Sequence, residues 1–257
     1  MTQVLGPAMA PDPLRPSGQS RTQKRRARVE KARAATQNVG EVFITFGEVI
    51  LMFCAYQLWW TNVESSRETN RAVDQVRQSF IIPVAQPAPQ ATEAPKPQVG
   101  DGQGFGLVYI PRLGGSWIKP LIEGSSLDNL KRGITHYTGT AMPGEVGNFA
   151  IAGHRATNGE PFRNLDRMRA GDKVVVETNE SWVTYEVTSQ RIVKPKDVWV
   201  LDPVPGKPGV APTEATLTMT TCNPRWASYE RLIVFGTMVE KLPKSSGQTP
   251  AALKGAV

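Results

Sequence analysis

Cysteine is scarce in this sequence, and its scarcity excludes one class of exported protein. The 257 residues contain two cysteines, Cys54 and Cys222. Cys54 lies inside a long apolar run and Cys222 lies far beyond it, so we expect no disulfide between them. The chain is therefore not a small domain that depends on disulfides for its stability. Cys222 is left as a single thiol, which calls for a chemical explanation because an unpaired thiol is open to oxidation.

Histidine is equally scarce, with His136 and His154 as its two occurrences. A structural or catalytic zinc site draws three or four ligands from closely spaced Cys, His and acidic residues. Two distant histidines and one cysteine beyond the apolar run do not supply that spacing. The sequence also lacks the dense carboxylate loop that is typical of calcium sites. We therefore predict no metal and no other cofactor.

Positive charge is unevenly distributed along the chain. The formal net charge is +7, but most of it lies within residues 1–40, where the acidic residues are Asp12 and Glu30. The basic residues of this tail are Arg15, Arg21, Lys24, Arg25, Arg26, Arg28, Lys31 and Arg33. The remainder of the chain is nearly neutral, so no basic face for nucleic acid is indicated.

The sequence has one long apolar run, Val42 to Trp60, which reads VFITFGEVILMFCAYQLWW. This is about the length that a helix needs to cross a bilayer. Tyr56, Trp59 and Trp60 cluster at its end, as aromatic residues do at membrane interfaces. Because the basic tail precedes the run, the positive-inside rule predicts a single-pass protein of the cell membrane with residues 61–257 outside. A cleaved signal peptide and a buried helix of a soluble protein are the alternatives.

The order of these features predicts five segments. They are a basic cytoplasmic tail (1–41), a transmembrane helix (42–60), a membrane-proximal segment with a Pro-rich stalk (61–104), a folded domain (105–242) and a flexible C-terminal tail (243–257). The stalk contains PVAQPAPQATEAPKPQVGDGQG, a composition that cannot form a core and favours an extended spacer.

The folded domain is predicted to be mainly β. Short runs of β-forming residues recur, several of them alternating with polar residues as half-buried strands do. The expected strands are Gly106–Ile110, Asn148–Ala152, Lys173–Thr178, Trp182–Thr188, Thr216–Thr221 and Leu232–Val239. Two short helices are expected at Ser126–Arg132 and Pro161–Met168. No βαβ alternation is present, which favours a closed barrel with mixed or antiparallel strands and few helices.

Three segments place a reactive residue at the end of a predicted strand. NFAIAGHR ends near His154, TLTMTTCNPRW contains Cys222 followed by a proline, and ERLIVFG opens with Arg231. A strand end is a rigid support from which a side chain can be directed into a cleft.

These segments resemble the motifs of sortases. TMTTC is similar to the sortase signature Thr-Leu-x-Thr-Cys, with Met219 in the leucine position as a volume-conserving change. AGHR resembles the family's histidine segment, and the order His, Cys, Arg agrees. The surrounding ITHYTGTAMPGEVGNFAIAGHR and PFRNLDRMRAGDKVVVET most resemble class E sortases of actinobacteria. The likeness extends from about Phe105 to Lys241.

The resemblance implies a sortase-type β-barrel with Cys222, His154 and Arg231 as catalytic residues. The thiolate of Cys222 would attack a Thr–Gly peptide bond in a Leu-Ala-x-Thr-Gly-type sorting signal and form a thioester. His154 would protonate the departing amine, and Arg231 would stabilise the oxyanion or hold the substrate threonine. The implied partners are surface proteins that carry the signal and a peptidoglycan or pilin amine.

Tyr137, Thr220 and Thr221 are further candidates for substrate binding, although ordinary packing explains each of them as well. Two other functions remain compatible with the sequence. One is a hydrolytic thiol protease on the same scaffold, and the other is an anchored, non-enzymatic binding or pilus-scaffold module.

Overall fold

The computed structural model describes residues 21–81 and 99–254. It contains two compact units, Met1–Gln57 and Leu58–Val257, which we consider one at a time. The predicted stalk falls largely on residues 82–98, which lie outside the described residues, as do residues 1–20 of the predicted basic tail.

Every described residue of the first unit is helical. Helix α1 spans Arg21–Ile81, so it begins well before the apolar run at Val42. The side chains of Val42, Phe43 and Phe53 are exposed. Within the described residues, Arg21–Gln57 contains one segment that is long and apolar enough to cross a membrane by length and composition.

The described part of the second unit contains the C-terminal part of α1, eight strands and one short α-helix. The strands are β1 (Gly104–Tyr109), β2 (Ile118–Glu123), β3 (Ile134–His136), β4 (Gly147–Ala152), β5 (Lys173–Thr178), β6 (Ser181–Val193), β7 (Ala215–Asn223) and β8 (Glu230–Pro243). Helix α2 spans Leu127–Arg132 and is capped by Ser126, whose hydroxyl accepts from the backbone N–H of Asn129 at 3.2 Å.

The strands form a closed barrel in the order β1-β2-β3-β4-β7-β8-β6-β5, with β5 pairing again with β1. The β2–β3 and β4–β7 pairs are parallel and the others are antiparallel. The predicted mainly β, closed barrel with few helices is therefore confirmed. Closure leaves no unpaired sheet edge, which removes a common route to aggregation.

The barrel interior is filled by side chains that alternate along the strands. Phe149 on β4 is fully buried and stacks between the rings of His136 and Tyr185, at centroid distances of 5.5 and 6.0 Å. Leu217 and Met219 on β7 also point into this core. Because the side-chain period of a strand is two, their neighbours along β7 face the opposite side.

The C-terminal part of helix α1 packs on the outside of β1 and β5. Val73 and Val76 join a buried cluster with Leu107, Tyr109 and Val175. Residues 61–81, the start of the predicted membrane-proximal segment, are therefore part of the packed second unit.

The segment after Pro243 is also packed, whereas the sequence predicted a flexible tail there. Leu253, in a short 3-10 helix at Ala251–Leu253, is buried in the same cluster as Val73. The ammonium group of Lys244 pairs with Glu177 and lies 4.1 Å from the ring centroid of Trp182. The segment after Pro243 is mostly polar, so its sequence does not indicate the contacts that Leu253 and Lys244 make. Residues 255–257 lie outside the described part of the chain.

The second predicted helix, Pro161–Met168, is only partly formed. It contains a single 3-10 turn at Leu165–Arg167. Leu165 and Met168 are buried in the barrel core, so the apolar residues that suggested a helix pack there from a largely irregular segment.

The stacked arrangement around Phe149 predicts a large effect of truncation. Phe149→Ala should lower the free energy of unfolding by about 3–5 kcal/mol, because the substitution removes a fully buried ring and leaves a cavity. Val146→Ala, at an exposed position in the loop before β4, should change it by less than about 0.5 kcal/mol. Chemical denaturation measures both values, and equal losses in the two variants would contradict this packing.

Candidate active site

Three neighbouring strands, β4, β7 and β8, present the motif residues at one end of the barrel. β4 runs parallel to β7, and β8 runs antiparallel to β7. The C-terminal ends of β4 and β7 therefore lie beside the N-terminal end of β8. His154, Cys222 and Arg231 are located at those ends.

Cys222 and Arg231 are direct partners across β7 and β8. Residues that face each other in an antiparallel pair have side chains on the same side of the sheet, with Cβ atoms about 5 Å apart. The backbone register thus places the side chains of Cys222 and Arg231 side by side on the same face of the sheet. The Cys222 side chain is half-buried, which leaves it open to a substrate.

His154 follows β4, two residues beyond its last paired residue. Ala152 pairs with Thr220, and the N–H of Gly153 donates to the carbonyl of Thr220 at 3.2 Å, so the ladder continues past the end of the strand. Continuation of this parallel register by two residues would bring His154 level with Cys222. The carbonyl of His154 accepts from the N–H of Phe162 at 2.9 Å, which fixes the start of the following loop.

The outward face of β7 carries Thr218, Thr220 and Cys222 in a row, since Leu217 and Met219 face the core. The hydroxyl of Tyr137 lies 3.1 Å from Oγ1 of Thr220. Tyr137 is half-buried and Thr220 is buried, so of this pair the tyrosine has the accessible surface.

Thr221, the third predicted substrate contact, has a different environment. It is 3% exposed, and its hydroxyl donates to the carbonyl of Gly153 at 2.7 Å. Alternation along the strand turns the Thr221 side chain away from the face that carries Cys222. Its hydrogen bond connects β7 to Gly153, the residue before His154. A structural position of this kind leaves little surface for a substrate.

The loop between β6 and β7 forms one wall beside this face. The side-chain amide of Asn148 on β4 donates to the carbonyls of Val200 and Asp202, both at 3.0 Å. These bonds hold the loop across the sheet.

The electrostatic surroundings of His154 favour its neutral form. Burial lowers the pKa of His154, and the positive charge of Lys131 lowers the pKa further. Lys131 belongs to α2, where its ammonium group pairs with Asp128 at 2.8 Å. The short helix thus places a cation close enough to act on the imidazole.

Arg231 is held by the loop that connects β7 to β8. Its Nη1 donates to the carbonyls of Ser228 and Glu230, at 2.7 and 2.8 Å. A guanidinium has five N–H donors, so the groups on Nε and Nη2 can still serve a substrate. Trp226 and Tyr229 in the same loop are exposed, at 75% and 63%.

Several polar residues around the site were not singled out from the sequence. Arg155, Asn223 and Glu230 are the immediate chain neighbours of the three motif residues, and they are joined by hydrogen bonds. Their adjacency to the motifs was the available signal. The contacts of Arg155 depend on the conformation of the loop after β4, which no motif in the sequence predicts.

His136 lies away from the thiol and is buried. Its Nδ1 is 2.6 Å from Oε2 of Glu123, and its Nε2 is 2.8 Å from the hydroxyl of Thr140. This arrangement fits a structural residue that links β2, β3 and the following turn. Over residues 21–81 and 99–254, no group of three or more His, Cys, Asp or Glu side chains is placed to hold a metal ion.

Comparison with known proteins agrees with the motif geometry. The sequence profile of the sortase domain matches residues 108–239. Sortase SrtE1 of Streptomyces coelicolor is 39% identical over 239 residues, a match that covers 89% of this chain and 65% of that protein. Sortase SrtE2 of the same organism is 31% identical over 240 residues, covering 88% of this chain and 91% of that protein.

Solved structures give the same result. Sortase E from Streptomyces avermitilis is 43% identical with a TM-score of 0.54, covering 60% of this chain and 99% of that one. Sortase E1 from Streptomyces coelicolor, solved with a tripeptide in its active site, is 42% identical with a TM-score of 0.55, covering 61% and 99%. Motifs, barrel and relatives therefore agree that this chain belongs to the sortase family.

Proposed function

We propose that this protein is a membrane-anchored cysteine transpeptidase that cleaves a sorting signal between Thr and Gly and transfers the cleaved protein to an amine. The observation that carries the proposal is the register of three strands. Cys222 faces Arg231 across β7 and β8, and His154 follows the strand on the other side of β7.

The first step of the proposed reaction is attack by Cys222. Its thiolate adds to the threonine carbonyl, giving a tetrahedral oxyanion. Collapse of this species expels the glycine amine and leaves a thioester between the threonine and Cys222. The half-buried position of the thiol suits this role, because the sulfur must be reachable while most of the surrounding water is excluded.

His154 is the proposed proton donor in that step. The leaving amine accepts a proton from the imidazolium, and the neutral imidazole then accepts a proton from the incoming amine. Burial and the charge of Lys131 lower the pKa of His154. The imidazolium is therefore lost at a lower pH than in a free histidine. The rate of the acid-assisted step should fall as the pH rises through that pKa.

Arg231 is the proposed electrostatic partner. Its guanidinium stays charged at all relevant pH values and presents its donors in a rigid plane. With Nη1 bound to the backbone carbonyls of Ser228 and Glu230, the remaining N–H groups are oriented in advance and can stabilise the oxyanion or bind the threonine side chain. Such preorganised donors contribute about 3–4 kcal/mol in comparable sites.

The sorting signal is proposed to lie along the outward face of β4 and β7. The class E resemblance suggests a Leu-Ala-x-Thr-Gly-type signal, and Tyr137 beside Thr220 is the proposed contact for it. Surface proteins that carry the signal are the proposed substrates, and a peptidoglycan or pilin amine is the proposed acceptor.

The apolar segment of α1 is the proposed membrane anchor. Val42–Trp60 falls mostly within Arg21–Gln57, the stretch that is long and apolar enough to span a bilayer. The basic residues that precede it favour a cytoplasmic N-terminus and an extracellular catalytic domain. Attachment there would keep the enzyme near substrates that leave the same membrane.

Amine-dependent product formation tests the proposed reaction. A Leu-Ala-x-Thr-Gly peptide should yield a new amide with an added amine and a slow hydrolysis product without it. Cys222→Ala should abolish both products, while Cys54→Ala, a matched change of the other cysteine, should preserve them. Chromatography with mass detection measures each product. Release of the acid alone at every amine concentration would indicate a hydrolytic protease, and surface display by Cys222→Ala cells would indicate a non-enzymatic module.

The electrostatic effect of Lys131 gives a prediction about pH. Lys131→Gln should raise the pKa of His154, because removal of a nearby positive charge makes protonation of the imidazole easier. The descending limb of the pH–rate profile should move to higher pH accordingly. Lys131 is exposed, so both changes should be largest at low salt.

Proton NMR titration can follow this change directly, since the chain has two histidines and His154→Gln assigns the resonances. Lys173→Gln is the matched control, because β5 lies on the opposite side of the barrel from β4. An unchanged midpoint for His154 in Lys131→Gln, or equal shifts in both variants, would contradict the assigned cause.

A further inference from the structure

The residues next to His154, Cys222 and Arg231 in the chain form a hydrogen-bonded series of their own. Arg155 follows His154, Asn223 follows Cys222, and Glu230 precedes Arg231. Arg155 bonds to Asn223, and Asn223 bonds to Glu230. One connected set of side chains therefore joins the three strands directly beside the three motif residues.

Arg155 is the buried end of this series. It is 7% exposed, and its Nη1 donates to Oδ1 of Asn223 at 2.5 Å and to the carbonyl of Cys222 at 3.4 Å. Its Nη2 pairs with Asp166 at 3.2 Å. A buried guanidinium is tolerated when its charge is paired. Both Nη groups of Arg155 have partners, and its buried Nε has none among the described residues. The same guanidinium thus contacts the main chain of the proposed nucleophile.

Asn223 transmits this constraint from one strand to the next. Its Oδ1 accepts from Arg155, and its Nδ2 donates to Oε2 of Glu230 at 2.9 Å. Because the amide oxygen faces a cation and the amide nitrogen faces an anion, the side chain has one favourable orientation. Asn223 and Glu230 are also backbone partners across β7 and β8, immediately beyond the Cys222–Arg231 pair.

Glu230 is the partly exposed end of the series. Its other carboxylate oxygen is 3.3 Å from Nζ of Lys194, in the loop after β6. The hydrogen bond from Asn223, followed by the interactions with Lys194, lowers the pKa of Glu230. The carboxylate therefore stays ionised at neutral pH and continues to accept the bond from Asn223.

Backbone pairing alone does not complete the alignment of the site. The β4 strand ends at Ala152, so His154 lies in a loop rather than in the sheet. The β7–β8 pairing ends at Asn223 and Glu230, beyond which the chain turns through an exposed loop. The side chains of Arg155, Asn223 and Glu230 connect these segments at the points where the ladders stop.

We propose that Arg155, Asn223 and Glu230 are positioning residues that fix the mutual placement of His154, Cys222 and Arg231. The inference rests on the proposed function, since it concerns the alignment of that reaction. None of the three contacts the reacting bond. Their effect is to hold the imidazole, thiol and guanidinium at the separations that the reaction needs, and a misplacement of about 1 Å can cost about 100-fold in rate.

Kinetics of substituted full-length protein test this proposal. Asn223→Ala and Glu230→Ala should each lower kcat by about 10–100-fold while KM for the sorting peptide changes by less than about threefold. Glu230→Gln should retain more activity than Glu230→Ala, because its amide oxygen can still accept from Asn223. Arg163→Ala is the matched control, since this exposed arginine lies in the same loop as Arg155 but pairs with Glu160. It should retain the kcat of the unsubstituted protein.

Double substitution tests whether the residues act as a unit. The variant carrying Asn223→Ala and Glu230→Ala should be little slower than the slower single variant, because each change already breaks the series. Multiplied losses would overturn the proposal. Lower thermal stability with an unchanged kcat would also overturn it, since that result would mark the residues as merely structural. If Asn223→Ala does not fold, the comparison of Glu230→Ala with Glu230→Gln, at the partly exposed end, decides the question.

A second readout separates this proposal from the proposed function. The rate at which iodoacetamide alkylates Cys222 at neutral pH reports on thiolate reactivity and needs no sorting peptide. It should fall at least about threefold in Asn223→Ala and Glu230→Ala but not in Arg163→Ala. If the unsubstituted protein fails to process the peptide, the transpeptidase proposal fails, and the alkylation rates still test the network. Equal alkylation rates in all variants would overturn the network.

Discussion

The pairing register of β4, β7 and β8 is the constraint on which the site depends. It places Cys222 opposite Arg231 and brings the end of β4 beside Cys222. A one-residue slip of β7 would turn Cys222 into the core and Thr221 outward, since strand side chains alternate. The register is fixed by the buried side chains of the same strands, including Leu217 and Met219. Packing inside the barrel therefore fixes where the motif residues lie on its outer face.

The fold leaves the motif residues at the points where regular structure ends. Strand ends supply rigid attachment, and loops supply accessible surface. This position has a cost, because backbone ladders no longer fix the side chains there. Arg155, Asn223 and Glu230 connect the loose ends by side-chain hydrogen bonds, and Thr221 binds the carbonyl before His154. The site is thus supported from the barrel below and from its own chain neighbours.

The sequence predicted the barrel because its strands produce strong local signals, and the motifs that identified Cys222, His154 and Arg231 are local as well. The catalytic roles of these three residues stay a prediction. Strand β5 has the predicted bounds, Lys173–Thr178, since its apolar residues form an uninterrupted run. Strands β2 and β3 were missed: Lys119 and Pro120 interrupt the first, and the second has three residues. Their conformation comes from pairing with distant strands, which a single sequence does not reveal.

The same limitation explains the differences at the ends of the folded unit and around the site. The packing of Leu253 against Val73 joins residues far apart in sequence, so a polar composition suggested a flexible tail. The bond from Arg155 to Asn223 likewise joins two loops, and no motif spacing predicts it. Family motifs can be recognised from sequence, whereas the contacts that hold the motif residues are seen only in the folded chain.

The formation of an acyl-enzyme on Cys222 tests the central claim most directly. Rapid quenching of the protein with a Leu-Ala-x-Thr-Gly peptide, followed by mass analysis and peptide mapping, measures the adduct. The account predicts a thioester at Cys222 that contains the peptide up to its threonine and disappears when an amine is added. Turnover of the peptide without this adduct, or acylation at another residue, would contradict the account.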